Sequence, residues 1–170
     1  VNPPNSTNSG NTTNWFTNAI SGVVYTDEGV TTIGSGRTVR LLVNGSDSGL
    51  TGTTDASGYY SISNPTVSSG DILTLYLDGA TEDGLTVVEA QTNEITDLDI
   101  YQDHVIVRHE NAGPISNSDL DTANNGDTDI TSLYNNGAGG NYTVPSVVSG
   151  ATLYVWAGDT YTPGGNVDAI

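Results

Sequence analysis

Short β-branched runs, interrupted every few residues by Gly, Asp and Asn, begin at Ala19 and continue along most of the chain. AISGVVY (19–25), RTVRLLVNG (37–45), residues 51–55, residues 59–63, ILTLYL (72–77), GLTVVEA (84–90) and EITDLDIYQ (94–102) read as seven strands. In the second run Val39, Leu41 and Val43 share one face, with Arg40 and Leu42 opposite. Asp55-Ala56-Ser57-Gly58 has hairpin-turn chemistry between two of these runs. HVIVRHE (104–110) is a further strand, with Val105 and Val107 on one face and Ile106 and Arg108 on the other.

The pattern repeats. GYYSISNPTVSSGDILTLYLDG from Gly58 returns as GNYTVPSVVSGATLYVWAGD from Gly140. Pro65, Val67, Ser69, Gly70 and Leu73 reappear as Pro145, Val147, Ser149, Gly150 and Leu153, and Tyr76 as the aromatic Trp156. The recurrence predicts related β units rather than a single enzyme fold. Three segments follow from it: a polar arm over 1–18, a β-sandwich over 19–102, and a second, shorter β module over 103–170. That second module lacks a counterpart of the Ala19–Tyr25 strand, so it is expected to leave an open sheet edge. The arm is rich in Asn, Ser and Thr and cannot bury enough apolar surface to fold alone. Trp15 and Phe16 are its large apolar groups, suited to docking on the first module or on a neighbouring subunit.

TTDASGYYSI (53–62) resembles the signature hairpin of carboxypeptidase regulatory-like domains and collagen-adhesin B-type repeats. Thr54, Asp55, Gly58, Tyr60 and Ile62 carry the likeness, and the opening AISGVVYTDEG is similar to the first strand of those modules. The resemblance spans about residues 19–101. It implies a prealbumin-like, Greek-key (Ig-like) sandwich of the kind used as tandem spacers in bacterial or archaeal surface and fibre proteins, and it says little of chemistry. Many such modules are cross-linked by a lysine–asparagine isopeptide bond. This chain has no lysine, so neither that bond nor lysine-dependent joining of subunits can form.

Composition narrows the function. Among 170 residues, 20 acids face three arginines, for a net charge of −17. Such a surface repels nucleic acid and anionic membranes and favours divalent cations. Cysteine is absent, and no apolar run reaches the length of a membrane span. The chain opens like a mature start exposed by processing. With Asn, Thr and Gly abundant and Lys, Cys and Met absent, an extracellular or cell-surface protein is expected. A halophilic cytoplasmic protein would share the acidic, lysine-poor surface.

Candidate chemistry is sparse. The segment NSDLDTANNGDTDI (117–130) reads as an acidic loop, in which Asp119, Asp121, Asn125, Asp127 and Asp129 either bind calcium or stay solvated; the spacing is not that of an EF-hand. His104 and His109 fall on opposite faces of their strand and read as surface polar residues. No nucleophile elbow or acid-bearing cleft is visible, so no enzyme is expected. Asn5, Asn11, Asn44 and Asn141 head Asn-x-Ser/Thr sequons, and Thr12 and Thr13 could carry O-linked sugar. If Leu73, Leu75 and Leu77 face inward, Ile72, Thr74 and Tyr76 face outward, as do Thr152, Tyr154 and Trp156 in the second copy. Those aromatics would pack subunit on subunit, stack on sugar rings, or lie under a second layer of the same module. The expectation is a non-covalent homo-polymer, a structural subunit of a filament, sheath or adhesin. The alternative is a carbohydrate-binding module that recognises surface glycans.

Overall fold

The computed structural model describes residues 18–110, 113–136, 145–147 and 150–164. The runs between Ala19 and Gln102 give β1 (Ala19–Tyr25), β2 (Thr38–Val43), β3 (Ser46–Thr53), β4 (Tyr59–Ser63), β5 (Ile72–Leu77), β6 (Leu85–Glu89) and β7 (Ile100–Tyr101). β3 begins earlier than the run expected at 51–55, and the run expected at 94–102 is a strand only over its two residues in β7. β8 (His104–His109) follows, then two short helices, α1 (Asn117–Ala123) and α2 (Thr128–Thr131). The chain continues with β9 (Tyr134–Asn136), β10 (Pro145–Val147) and β11 (Thr152–Val155). The strands form a six-stranded sheet in the order β11-β8-β6-β5-β2-β3, a three-stranded sheet β4-β1-β7, and the pair β10-β9. The fold is an all-β sandwich.

One core lies between the two larger sheets. Leu41, Leu73, Leu75, Leu77 and Val88 from the large sheet meet Ile20, Val24, Tyr60, Ile62 and Ile100 from the small one. Two details fix their spacing. The Tyr60 hydroxyl donates to the Leu98 carbonyl at 2.5 Å. A Cβ on Gly22 would stand 2.1 Å from that same oxygen, so only glycine lets residues 95–99 cross β1. The Asp55 turn forms as its chemistry dictates: one carboxylate oxygen accepts the Ser57 amide at 2.8 Å and the Tyr59 amide at 3.1 Å, and Gly58 has φ +76°.

A second core lies on the far face of the large sheet. Leu42, Tyr76, Val87, Val105 and Val107 are covered there by Leu120, Ala123, Ile130, Leu133 and Tyr134. All six residues of β5 are therefore buried. A strand enclosed on both faces reads as a continuous apolar run rather than an alternation, as ILTLYL does.

The division expected at 102/103 does not fall between sheets. β8 pairs in parallel with β6, and β11 in parallel with β8, so both extend the large sheet. Residues 115–134 roof the other face of that sheet, and the separate sheet that follows is only the short β10-β9 pair. The reason is the apolar second face of β5, β6 and β8, which is stable only when covered. The repeat is preserved locally and not globally. Gly70 and Gly150 have φ of +90° and +99°, and β5 and β11 each begin two residues later. β5 then lies between β2 and β6, whereas β11 forms an edge.

Candidate functional site

Parallel pairing with β8 sets Tyr154 beside Ile106, so Tyr154 and Trp156 rise from the face that also carries Arg108. The small sheet ends at β7, one strand short of covering them. Aromatic rings fill this corner. Tyr101 of β7 is central: its ring centroid lies 5.8 Å from Tyr25, 5.8 Å from His104, 5.4 Å from Tyr154 and 6.2 Å from Trp156. Most of the rings meet edge to face, with 75° between Tyr101 and Tyr154 and 66° between Tyr154 and Trp156. The Arg108 guanidinium sits 5.6 Å from the Trp156 ring centroid and is bound to Glu110 at 2.6 Å. His104 Nδ1 lies 2.6 Å from the Gln102 carbonyl oxygen, and its Nε2 lies 3.5 Å from Glu28. Burial, followed by the nearby Asp99 carboxylate, pushes the Tyr101 hydroxyl up to about 12. The corner is thus a packed cluster whose ring faces are largely spent on one another.

Beside it β11 forms an edge of the large sheet that no other strand among the described residues covers. The Thr152 amide donates to Asp103 O at 2.9 Å and the Trp156 amide to Val107 O at 3.0 Å. Backbone alternation then turns the N–H and C=O groups of Leu153 and Val155 away from β8. Val155 is 39% exposed, and residues 130–158 contain no charged side chain. The opposite edge of the same sheet is built differently. β3 carries Asp47, bound to Arg40 at 3.0 Å, a register shift against β2 between Arg40 and Leu42, and Gly49 at φ +71°. Charge, irregular pairing and glycine are the devices that discourage strand addition, and β11 has none of them.

The segment read as either a calcium loop or a solvated acidic loop is the α1–α2 roof. Asp119, in the first turn of α1, accepts the Ser116 amide at 2.8 Å and the Ser116 hydroxyl at 2.7 Å. Asn125 accepts the Asp127 amide at 3.0 Å. Asp127 caps α2 by accepting the Asp129 amide at 3.0 Å and takes the Tyr76 hydroxyl at 3.2 Å. Asp129 accepts the Gly79 amide at 2.6 Å, and Asp121 is exposed on α1. These five side chains are dispersed to separate tasks. Among the described residues, no three His, Asp or Glu side chains gather as a metal site.

Tyr76, expected on an outward contact surface, is 1% exposed beneath this roof. It cannot touch a subunit or a sugar, because α1 and α2 supply the covering layer. Tyr154 and Trp156 are half-buried at the corner. His104 joins that corner, while His109 lies against Asp159 and accepts the Thr160 amide at 3.0 Å. Asn44 is exposed in the β2–β3 turn, and its Nδ2 donates to Asp71 at 2.8 Å. Trp15, Phe16, Asn5, Asn11 and Asn141 lie outside the described residues. Sequence reading missed Tyr25, Tyr101 and Arg108 as members of the corner. Their one signal was a tyrosine closing each of two strands that end at the same level.

No family model, no curated protein and no solved structure matches the chain.

Proposed function

We propose that this protein is a structural subunit of an extracellular filament, sheath or adhesin, whose copies join non-covalently by adding a strand to the β11 edge. The observation that carries this reading is the contrast between the two edges of the large sheet. β3 is guarded by charge and irregular pairing, while β11 offers the outward amides of Leu153 and Val155 in a neutral, apolar setting. The occupant is a second copy, because the chain itself contains a second long neutral segment able to meet this one without repulsion. Absence of lysine leaves non-covalent pairing as the joining chemistry. The likeness of the Asp55 hairpin to tandem surface modules agrees with the role.

A carbohydrate-binding module is the second reading, favoured by the half-buried Tyr154 and Trp156. Its difficulty is geometric: sugar stacking needs a free ring face, and these rings turn toward each other and toward Arg108.

Val155→Lys places a charge on the free edge without touching the β8 ladder. Negative-stain microscopy and sedimentation of the full chain are expected to show assemblies for the parent and particles of single-copy mass for the variant. The melting temperature should stay within a few degrees, since Val155 is half out of the core. Assemblies equal in both proteins would remove the β11 edge from the mechanism. Glycan binding lost in Trp156→Ala, without assembly in the parent, would promote the second reading.

A further inference from the structure

We infer that the segment filling the β11 edge is the N-terminal arm, residues 1–17, of a second copy; this rests on the reading that copies associate at that edge. The chain segregates its charge. Residues 1–26 and 130–158 carry no charged side chain, and every one of the 20 carboxylates except Asp159 and Asp168 lies between Asp27 and Asp129. The arm and the β11 edge are thus the long neutral parts of a molecule of net charge −17. Like-charged copies repel most where carboxylates face each other, so contact is cheapest where neutral segment meets neutral segment.

The arm has the chemistry of an added strand. Pro3 and Pro4 cannot donate to a ladder, which leaves the pairing to the residues after them. Thr12, Thr13, Trp15, Phe16 and Thr17 are β-branched or aromatic, the side chains that suit a pleated, half-buried surface. Covering a four-residue strand such as β11 needs only this last part of the arm. The arm is tethered at Asn18, whose carbonyl accepts the Asn64 amide at 2.7 Å. From there the pairing residues 12–17 reach at most about 20 Å, so the neighbour's β11 edge must lie close to Asn18. Trp15 and Phe16 would then bring large apolar groups to exposed Val155 and the rim of the Tyr154–Trp156 corner.

Two full-length variants test the inference. Trp15→Ser/Phe16→Ser removes the apolar anchors without adding charge and leaves every described contact in place. It is expected to weaken self-association, read by sedimentation equilibrium, by about tenfold or more. The chain has no cysteine, so oxidative trapping is clean. A Thr13→Cys copy mixed with an Ala157→Cys copy is expected to give a cross-linked pair of unlike chains. Association unchanged by the serine substitutions would overturn the inference while leaving β11 assembly standing. The inference fails equally if the double variant, Thr13→Cys with Ala157→Cys in one chain, cross-links only within itself, because the arm then covers its own edge. A parent that remains single-copy at every salt concentration removes both the inference and the reading beneath it.

Discussion

Glu82 shows how this molecule uses its few cations. Its carboxylate takes Arg37 through Nη2 at 2.6 Å and Nε at 3.2 Å, a two-point contact that holds it far below the usual range. The Arg37 hydrogen bonds are the largest cause, and the pKa falls to about 2. Arg40 is likewise divided between Asp78 at 2.7 Å and Asp47 at 3.0 Å, and Arg108 is bound to Glu110 at 2.6 Å. A carboxylate whose folded pKa is depressed stabilises the fold above its unfolded value and loses that contribution as pH falls through the folded value. For Glu82 the window runs from about 4.5 down to about 2. The pair is near the surface, so solvent screening keeps its contribution small. Arg37→Gln should return the Glu82 titration, followed by carboxyl NMR, to the ordinary glutamate range and flatten stability across that window. A parent Glu82 that titrates near 4.5 would show that the two-point contact is not held in solution.

At the scale of elements, legibility tracks how many turns of periodic pattern an element can display. The strands between Ala19 and Gln102 were legible because β-branched runs bounded by Gly and Asp have few other solutions. The enclosure of β5 was half legible: Leu73, Leu75 and Leu77 do face the first core, but nothing local says what covers Ile72, Thr74 and Tyr76. The cover comes from α1 and α2, of seven and four residues, too short to show a 3.6-residue period. Their Asp, Asn and Thr residues read as loop or ligand for the same reason they cap helices, since short polar side chains bond nearby amides. Likewise the second copy of the repeat kept its turn glycine, but its partner strand was chosen by the open edge of β8 rather than by sequence. The roof yields a prediction. Asp127→Ala removes both the α2 cap and the partner of the buried Tyr76 hydroxyl, and should cost about 2 kcal/mol in urea unfolding. Asp121→Ala on exposed α1 should cost little. Chelator should leave the melting temperature of the parent unchanged, because Asp119, Asp127 and Asp129 already have protein partners. A calcium-dependent rise in melting temperature that Asp127→Ala abolishes would restore the loop as a metal site.

At the scale of the whole molecule, each arginine is committed within its own chain, so the surface has no spare cation to offer a second copy. Two approaching copies of charge −17 therefore repel over a distance set by the ionic atmosphere, although the surfaces proposed to meet are neutral. The Debye length contracts from about 30 Å at 0.01 M salt to about 8 Å at 0.15 M, which removes most of the long-range term while leaving strand pairing and apolar burial intact. Assembly through the β11 edge should accordingly strengthen with salt, by about tenfold or more between those concentrations, and then level off once the carboxylates are screened. Sedimentation across a sodium chloride series measures this directly. Magnesium and sodium chloride at equal ionic strength should act similarly if screening is the cause, whereas a much stronger effect of the divalent ion would mean that carboxylates are bridged across the contact. Association that weakens as salt rises would require unlike charges to meet at the interface. A chain with its arginines so engaged does not have them to give, and that result would place the contact somewhere other than β11.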